Sequence, residues 1–389
     1  MKAFHKNILE RLDRIINDTG KHIHDFIDNP HAFTRKRALS AATVIKTTIN
    51  MQGEDLTSEL FKAFGQEAIK KKEKVVSTSA YVQRKSQLSP ACFKHILTAF
   101  NQDLFNIQLF DQKYRLFAID GSDFNQIWNS ESKNIVTSST CKNKPYCQIH
   151  VNALYDLLDN TYQDCIFQPK LKMDERKAAV QMLKALDCGP YIVIMDRGYM
   201  SFNVIENCNR LPNCHYIIRT KTGYGGFKEV AALPDQECDT DISCWVTTSN
   251  YYYITHKNAE NVHLVNHHYR QYIKYRSKNT QDRSWDFGKL CTIKFRACKF
   301  RINNPESSKE EWEVVLTNLD RKEYPLQRIK EIYHLRWGIE TSFKKLKYAL
   351  GSVQFHSKQD KFVEMEIYAH MIMFNAVSQI DAQAYIPQK

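Results

Sequence analysis

One stretch late in the chain gathers ionisable side chains at helical spacing. Tyr333, Arg336, Glu340 and Lys347 fall within a sector of about 60° when residues are placed about 100° apart. A neighbouring apolar stripe, roughly 80° wide, would anchor the same helix on a core, and its members are Ile332, Leu335, Ile339, Phe343, Leu346 and Leu350. An acid and two bases on one narrow face can serve binding or catalysis. An amphipathic helix with incidental charges explains the same geometry equally well.

The spacing of the four residues, Tyr-x2-Arg-x3-Glu-x6-Lys, resembles the signature of a large group of bacterial insertion-sequence transposases. The resemblance implies a ribonuclease-H-like domain in which an Asp-Asp-Glu triad binds catalytic metal. It implies that Glu340 is the last acid of that triad. It also implies that Tyr333, Arg336 and Lys347 hold DNA near the transposon end. Two aspartates must then lie upstream, each at the end of a buried strand.

Two aspartates meet this requirement. Asp120 follows the largely apolar run 114–119, and Asp196 follows the apolar run 191–195, each with a glycine close behind. If these strands are parallel neighbours, both carboxylates emerge at the same edge of the sheet, where ligands gather in such folds. For either aspartate alone, a turn is the simpler interpretation. Their order before the late helix favours the catalytic one.

Three carboxylates in one pocket repel one another, so the triad would need bound cations. Mg²⁺ is the expected metal because it prefers oxygen ligands and keeps several waters, and Mn²⁺ is expected to substitute for it. Two ions about 3.5–4 Å apart would activate the attacking oxygen and stabilise the leaving one. The protein would then need no nucleophilic side chain.

The resemblance implies further contacts with DNA. Arg197, Arg219 and Lys221 match basic positions that contact DNA in relatives. Trp312 is a candidate for the aromatic residue that, in relatives, stacks on a base flipped out at the transposon end. A tryptophan in the core of a β-sheet is the alternative interpretation of Trp312, and Trp285 is a rival for the stacking role.

The pattern of elements predicts an α/β protein. Residues 1–105 are predicted to be helical, with basic clusters typical of a DNA-binding domain, or else a solvated helical bundle. Residues 106–222 alternate strands and helices, as expected for the first part of a ribonuclease-H-like mixed sheet with flanking helices. Residues 223–322 are predicted to be a basic β-rich insertion, with strands at 251–254 and 289–297 and a β-bulge after the second. Residues 323–389 would complete the catalytic domain and add C-terminal helices.

The composition favours a polyanion as partner. The 389 residues carry a formal net charge of +12, and the sequence pI is about 9.0, which suits DNA. The chain shows no membrane-length apolar run, no signal peptide, no close Cys-x2-Cys pair among its 11 cysteines and no phosphate loop. We therefore expect a cytoplasmic bacterial protein with reduced thiols, without a membrane or a nucleotide cofactor.

These features predict a DNA transposase of the Asp-Asp-Glu class. The resemblance implies that it acts as a homodimer on double-stranded DNA, cuts at terminal inverted repeats and joins the freed 3′-hydroxyl to target DNA. The resemblance also implies that a hairpin can form at the transposon end. Two alternatives remain open, a structure-selective metal-dependent nuclease of the same fold and a catalytically silent DNA-binding protein derived from a transposase.

Overall fold

Helices open the chain, and strands and helices alternate after them. The computed structural model describes residues 2–35, 38–72, 74–102, 107–137, 144–221, 226–256, 261–265, 285–302, 311–348 and 355–384. The helices are α1 (Lys2–Lys21), α2 (Ala41–Asn50), α3 (Leu56–Lys71), α4 (Thr78–Lys85), α5 (Pro90–Gln102), α6 (Glu175–Ala185), α7 (Phe202–Arg210), α8 (Lys228–Ala231), α9 (Asn250–His256), α10 (Leu326–His334), α11 (Trp337–Tyr348) and α12 (Asp360–Ala384). The strands are β1 (Arg115–Gln126), β2 (Ile135–Val136), β3 (Tyr146–Asp156), β4 (Thr161–Pro169), β5 (Tyr191–Met195), β6 (Cys214–Thr220), β7 (Cys238–Thr247), β8 (Val262–Leu264), β9 (Leu290–Ile302) and β10 (Glu311–Thr317). Within the described ranges, no helix is both long enough and apolar enough to cross a membrane.

Two compact units divide the chain, and each collects residues from separate stretches. The first contains Met1–Ile107, Ser122–Met173 and Thr341–Lys389, and the second contains Gln108–Gly121 and Asp174–Glu340. Strand β1 and helix α11 contribute residues to both units. Two of the predicted domain boundaries, 105/106 and 222/223, lie outside the residues that the structure describes.

Helices dominate the first unit. In it, α1, α2, α5 and α12 pack against one another, and their core is built from fully buried side chains that include Val44, Ile45, Phe93, Ile96 and Ile372. The helix starts follow local capping. The Ser40 hydroxyl accepts a hydrogen bond from the Thr43 N–H before α2, and the Asp55 carboxylate accepts one from the Thr57 N–H before α3. The predicted helical N-terminal region is therefore confirmed.

Antiparallel strands complete the first unit. Strand β3 pairs with β4 from Ile149↔Pro169 to Asp156↔Thr161, and its first residues pair with β2. Its other edge borders β1, whose last residues belong to this unit. Helices α5 and α12 both pack on β4, so the strands and the helices of this unit share one core.

The second unit is built on a sheet with the order β1-β5-β6-β10-β9-β7-β8. Strands β1, β5 and β6 run parallel, and β10, β9 and β7 continue the sheet in antiparallel fashion. Every residue of β5 is buried, as expected for a central parallel strand that is covered on both faces. Helix α7 packs on β6 and β9, and α10 packs on β9. This mixed sheet with flanking helices, after a helical N-terminal region, confirms the predicted fold class.

The strand predicted at residues 251–254 is wrong, because these residues belong to helix α9. The Ser249 hydroxyl accepts a hydrogen bond from the Tyr252 N–H, and the Ser249 carbonyl accepts one from the Tyr253 N–H. This is an N-cap arrangement, in which a serine satisfies the free N–H groups at a helix start. The serine was the sequence signal that the run of tyrosines obscured.

The β-bulge predicted in β9 is also wrong. The strand pairs in constant register with β7 along one edge and with β10 along the other. The alternation of apolar and basic residues changes phase because Arg296 and Lys299 are buried. Arg296 forms a two-point ion pair with Asp239, at 2.6 and 2.7 Å, and Lys299 donates to the Pro234 carbonyl at 2.6 Å.

The stretch predicted as one helix from Tyr333 to Lys347 forms two helices, α10 and α11. Between them the Arg336 N–H donates to the Tyr333 carbonyl, and the Ile339 N–H donates to the Arg336 carbonyl. These bonds span three residues rather than four, so the chain is wound more tightly here and the helical phase shifts. Leu335 is consequently 44% exposed instead of facing the core. The other predicted core residues that the structure describes are buried, namely Ile332, Ile339, Phe343 and Leu346, and Leu350 lies outside the described residues.

Candidate active site

Asp120 and Asp196 occupy equivalent positions on neighbouring parallel strands. The register of β1 and β5 pairs Ile119 with Met195, so this pair is followed by Asp120 within β1 and by Asp196 directly after β5. Adjacent strands lie about 4.8 Å apart, which brings the two side chains close together. Strand β5 ends before Asp196 as predicted, whereas β1 continues beyond Asp120 to Gln126. Asp120 is therefore a residue within a strand and does not mark a turn.

Arg336 connects the third acid to the first. One guanidinium nitrogen lies 2.8 Å from Oε1 of Glu340, and the other lies 3.6 Å from Oδ2 of Asp120. The Arg336 side chain is 6% exposed, compared with 23% for Asp120 and 31% for Glu340. The joint between α10 and α11 places this cation, and the first turn of α11 places Glu340. Asp120, Asp196, Arg336 and Glu340 thus converge within the second unit.

The pKa of Asp120 reflects its burial and the like charges around it. Burial is the largest of the influences that raise the pKa of the Asp120 carboxyl to about 6, and the charges of Glu340 and Asp196 contribute to the same increase. The hydrogen bond from the Gly121 N–H and the charge of Arg336 oppose this increase. The pKa shift therefore has two causes that a bound cation would counteract, desolvation and the proximity of other carboxylates.

A second arginine lies beside the second aspartate. Nε of Arg219 is 2.8 Å from Oε1 of Glu313, and another of its nitrogens is 3.8 Å from Oδ1 of Asp196. Burial raises the pKa of Glu313, and the positive charge of Arg219 acts against that increase. Tyr333 is also buried, and burial raises the pKa of its hydroxyl to about 12. Arg219 thus spans a buried glutamate and a candidate ligand.

Glu313 is a residue that the sequence reasoning missed. It lies at the start of the apolar run 313–317 in β10, and its side chain is 5% exposed. An acid at the start of a buried strand was the available signal, because charged side chains are almost never fully buried unless they are paired. Its partner Arg219 lies on β6, the strand next to β10 in the sheet.

The remaining candidates are placed as follows. Arg197 is exposed in the turn after β5, and Lys221 is exposed directly after β6. Trp312 is half-buried in β10, where Nζ of Lys299 lies 4.9 Å from the centroid of its ring. Lys347 belongs to the first unit, and there its ammonium donates to the Ser122 hydroxyl at 2.7 Å.

The donor atoms suit a hard divalent cation. In the part of the chain that the structure describes, no three His, Cys, Asp or Glu side chains are arranged closely enough to enclose a metal. Oδ1 of Asp196 is buried and has no hydrogen-bond partner among the described residues, so this oxygen is available to a ligand. All three candidate donors are carboxylates, the ligands that Mg²⁺ prefers. The chemistry of these donors suits such an ion, but the three described side chains do not enclose one in the arrangement in which Arg336 contacts Asp120 and Glu340.

Comparison with known proteins assigns the family. Residues 111–376, more than half of the chain, match the family model described as "Transposase DDE domain". A solved structure, the "piggyBac transposase synaptic complex with hairpin DNA", is similar at 9% identity over 98% of this chain and 75% of that chain, with a TM-score of 0.44. No curated protein matches the sequence. A TM-score below 0.5 does not establish a shared fold, so the assignment depends on the domain match. The chain belongs to the family of transposases with a DDE domain.

Proposed function

We propose that this transposase mobilises a bacterial insertion sequence by cleaving its terminal inverted repeats and joining the freed 3′-hydroxyl to target DNA. The observation that carries the proposal is the matched position of Asp120 and Asp196 on adjacent parallel strands, with Glu340 linked to Asp120 through Arg336. Membership of the transposase family supports it. The spacing of Tyr333, Arg336, Glu340 and Lys347 supports the narrower assignment to insertion-sequence transposases.

Asp120, Asp196 and Glu340 would hold the metal in this proposal. Two divalent ions, Mg²⁺ or Mn²⁺, would activate the attacking oxygen and stabilise the leaving oxygen when bound. The chain itself supplies three half-buried carboxylates, in a setting where charge interactions are stronger than in water. No side chain is required to act as a nucleophile.

The cations around the triad would position DNA. Arginine binds phosphate through two parallel hydrogen bonds, and Arg336 and Arg219 both lie within 4 Å of a candidate metal ligand. Tyr333 lies beside Arg336, whose guanidinium carbon is 5.9 Å from the centroid of the tyrosine ring. Arg197 is exposed directly after Asp196, and Lys221 is exposed directly after the neighbouring strand β6. We include Lys347 as a contact to the transposon end and Trp312 as the candidate for base stacking.

The wider assembly follows from the same proposal. Residues 1–105 would bind DNA, residues 223–322 would form the basic insertion, and residues 106–222 and 323–389 would form the catalytic domain. The partner is double-stranded DNA, bound by a homodimer in the bacterial cytoplasm, and the transposon end would pass through a hairpin. The net charge of +12 supports a polyanionic partner.

A strand-transfer assay tests this proposal. The substrate is a duplex taken from the DNA that flanks the gene. It is labelled on the strand whose 3′-hydroxyl lies at the transposon boundary. A supercoiled plasmid serves as the target, and Mg²⁺ is added. We expect the label to become joined to the plasmid. Cleavage without joining would instead identify a metal-dependent nuclease, and a gel shift without nicking would identify a silent DNA-binding protein.

A further inference from the structure

We propose that Arg336 is an internal counter-ion that competes with divalent metal for Asp120 and Glu340, and that a DNA phosphate releases it. This inference rests on the proposed function, because it assumes that these carboxylates are metal ligands. It adds a regulatory property to that site. Metal and DNA would bind cooperatively, and the metal-free acids would stay neutralised until DNA arrives.

The contacts of Arg336 support direct competition. Its guanidinium contacts Oε1 of Glu340 and Oδ2 of Asp120, the same class of oxygen that a divalent ion would need. A guanidinium and a metal ion carry charge of the same sign, so both cannot occupy these oxygens without strong repulsion. Because the Arg336 side chain is 6% exposed, water screens that repulsion poorly.

Arg336 is the cation that must move, and Arg219 is not. Arg219 is held by Glu313 at 2.8 Å and approaches Asp196 only to 3.8 Å. It can therefore keep its anchor when a metal reaches Asp196. Arg336 has its shortest ion pair, 2.8 Å, with the candidate ligand Glu340 itself, so metal binding at that carboxylate displaces its main partner.

A phosphate is the anion best suited to receive the displaced guanidinium. Arginine presents a planar fork of N–H donors that matches phosphate oxygens. Nε of Arg336 is buried and has no hydrogen-bond partner among the described residues, so one of its donors is still unsatisfied. Transfer of Arg336 from carboxylates to phosphate would satisfy this donor and free the oxygens of Asp120 and Glu340 for metal.

Thermodynamic linkage turns this exchange into a measurable coupling. If DNA raises the affinity for metal by some factor, metal must raise the affinity for DNA by the same factor. Coupling of this kind typically amounts to about 5–150-fold. Removal of Arg336 abolishes the competition, so metal affinity without DNA should rise and the coupling factor should fall towards one.

Mn²⁺ binding to the full chain, followed by electron paramagnetic resonance of the free ion, tests the inference. Binding is measured with and without an end duplex that lacks its 3′-hydroxyl, so that no strand transfer occurs. For the wild type, we expect DNA to increase Mn²⁺ affinity at least about fivefold. Arg336→Met should bind Mn²⁺ more tightly than the wild type without DNA and gain little when DNA is added. Arg336→Lys lacks the fork needed to contact both acids, so its Mn²⁺ affinity without DNA should lie between those of the wild type and Arg336→Met. This variant also tests the inference if the methionine variant does not fold.

Arg328→Met is the matched control. It removes the same charge from the preceding helix α10, but Arg328 is 38% exposed and pairs with Asp111 and Glu331. Its Mn²⁺ binding should equal that of the wild type in both states. Weaker Mn²⁺ binding by both Arg336 variants, or equal wild-type affinity with and without DNA, would overturn the inference and leave the proposed function intact. Mn²⁺ binding that Glu340→Gln leaves unchanged would overturn the proposed metal site and this inference with it.

Discussion

Burial controls the protonation of the Asp120 carboxyl. It is the largest cause of the rise in the pKa of this group to about 6, and the negative charges of Glu340 and Asp196 contribute to that rise. A raised pKa means that the folded state favours the protonated acid more than the unfolded state does. The resulting stabilisation is complete below the unfolded pKa of about 4 and is lost as the pH rises through about 6.

Asp120→Asn should remove this pH dependence from the metal-free protein. In urea unfolding with EDTA, the free energy of unfolding of the variant minus that of the wild type should increase by roughly 2 kcal/mol between pH 4.5 and 7.5. Asp187→Asn, which alters an exposed aspartate of the same unit, is the control and should give a constant difference. A constant difference for Asp120→Asn would show that the folded state does not perturb this acid.

Arg336 shows how far residue spacing can predict a site. Its spacing from Glu340 is one helical turn, and the structure shows the corresponding i,i+4 ion pair. Its contact with Asp120 depends on how the α10–α11 joint packs on strand β1, which no local pattern encodes. The pair formed by Arg219 and Glu313 is also non-local, and for that reason Glu313 was missed.

The joint between α10 and α11 determines which side chains face the core. A uniform 100° per residue places Leu335 with Ile339, but the tighter winding at Arg336 rotates Leu335 out to 44% exposure while Ile339 is fully buried. Periodicity analysis assumes a constant winding, so it predicted most of this core face and failed at the joint.

Alanine substitutions on either side of the joint should have unequal effects on stability. Ile339→Ala should lower the free energy of unfolding by about 2–5 kcal/mol, because it opens a cavity in the core. Leu335→Ala should change it by no more than about 0.5 kcal/mol, as is usual for exposed positions. Urea unfolding of the two variants measures both quantities. Similar losses for the two would indicate a continuous helix with Leu335 in the core.

Strand β9 shows that a basic sequence does not by itself define a binding face. Of its four cations, Arg296 and Lys299 are buried and Lys294 and Arg301 are exposed. The sequence could not reveal this difference, because the partner of Arg296, Asp239, lies on β7. Only the exposed pair is suitably placed to contact a polyanion.

The net charge of +12 should make DNA binding strongly dependent on salt. Replacing Lys294 and Arg301 together by alanine should flatten the slope of log K against log salt by up to about 1.8, or about 0.9 for each lost phosphate contact. Fluorescence anisotropy with a labelled duplex measures the slope. Arg296→Ala is the contrasting variant. It should lose about 1–3 kcal/mol of stability because the Leu319 and Tyr324 carbonyls lose their buried donor, while Asp239 keeps its ion pair with Arg321. An unchanged slope in the double variant would mean that the exposed cations of β9 do not contact DNA.

The fold as a whole was largely accessible from the sequence. The central parallel strands are continuous apolar runs because both of their faces are covered, so β1, β5 and β6 could be predicted, together with the aspartates that follow the apolar residues of β1 and β5. Among the features that were predicted wrongly, α9 depends on a single capping serine, and the course of β9 depends on a buried ion pair between residues far apart in the sequence. The division of the late helix depends on the tighter winding at Arg336. Apolar patterns therefore predict the helices and strands that pack together, whereas buried polar pairs between residues far apart in the sequence can be identified only from the folded structure.

The proposed function requires that Asp120, Asp196 and Glu340 together support metal-dependent cleavage of DNA. The most direct measurement is Mg²⁺-dependent cleavage of a labelled end duplex by Asp120→Asn, Asp196→Asn and Glu340→Gln, with a gel shift on the same substrate. Each variant should lose cleavage while binding DNA nearly as well as the wild type, since each loses one metal ligand and little else. Glu331→Gln, at an acid that is 51% exposed in α10, should cleave normally. Cleavage near the wild-type rate by any of the three variants would contradict the assignment of that residue to the site.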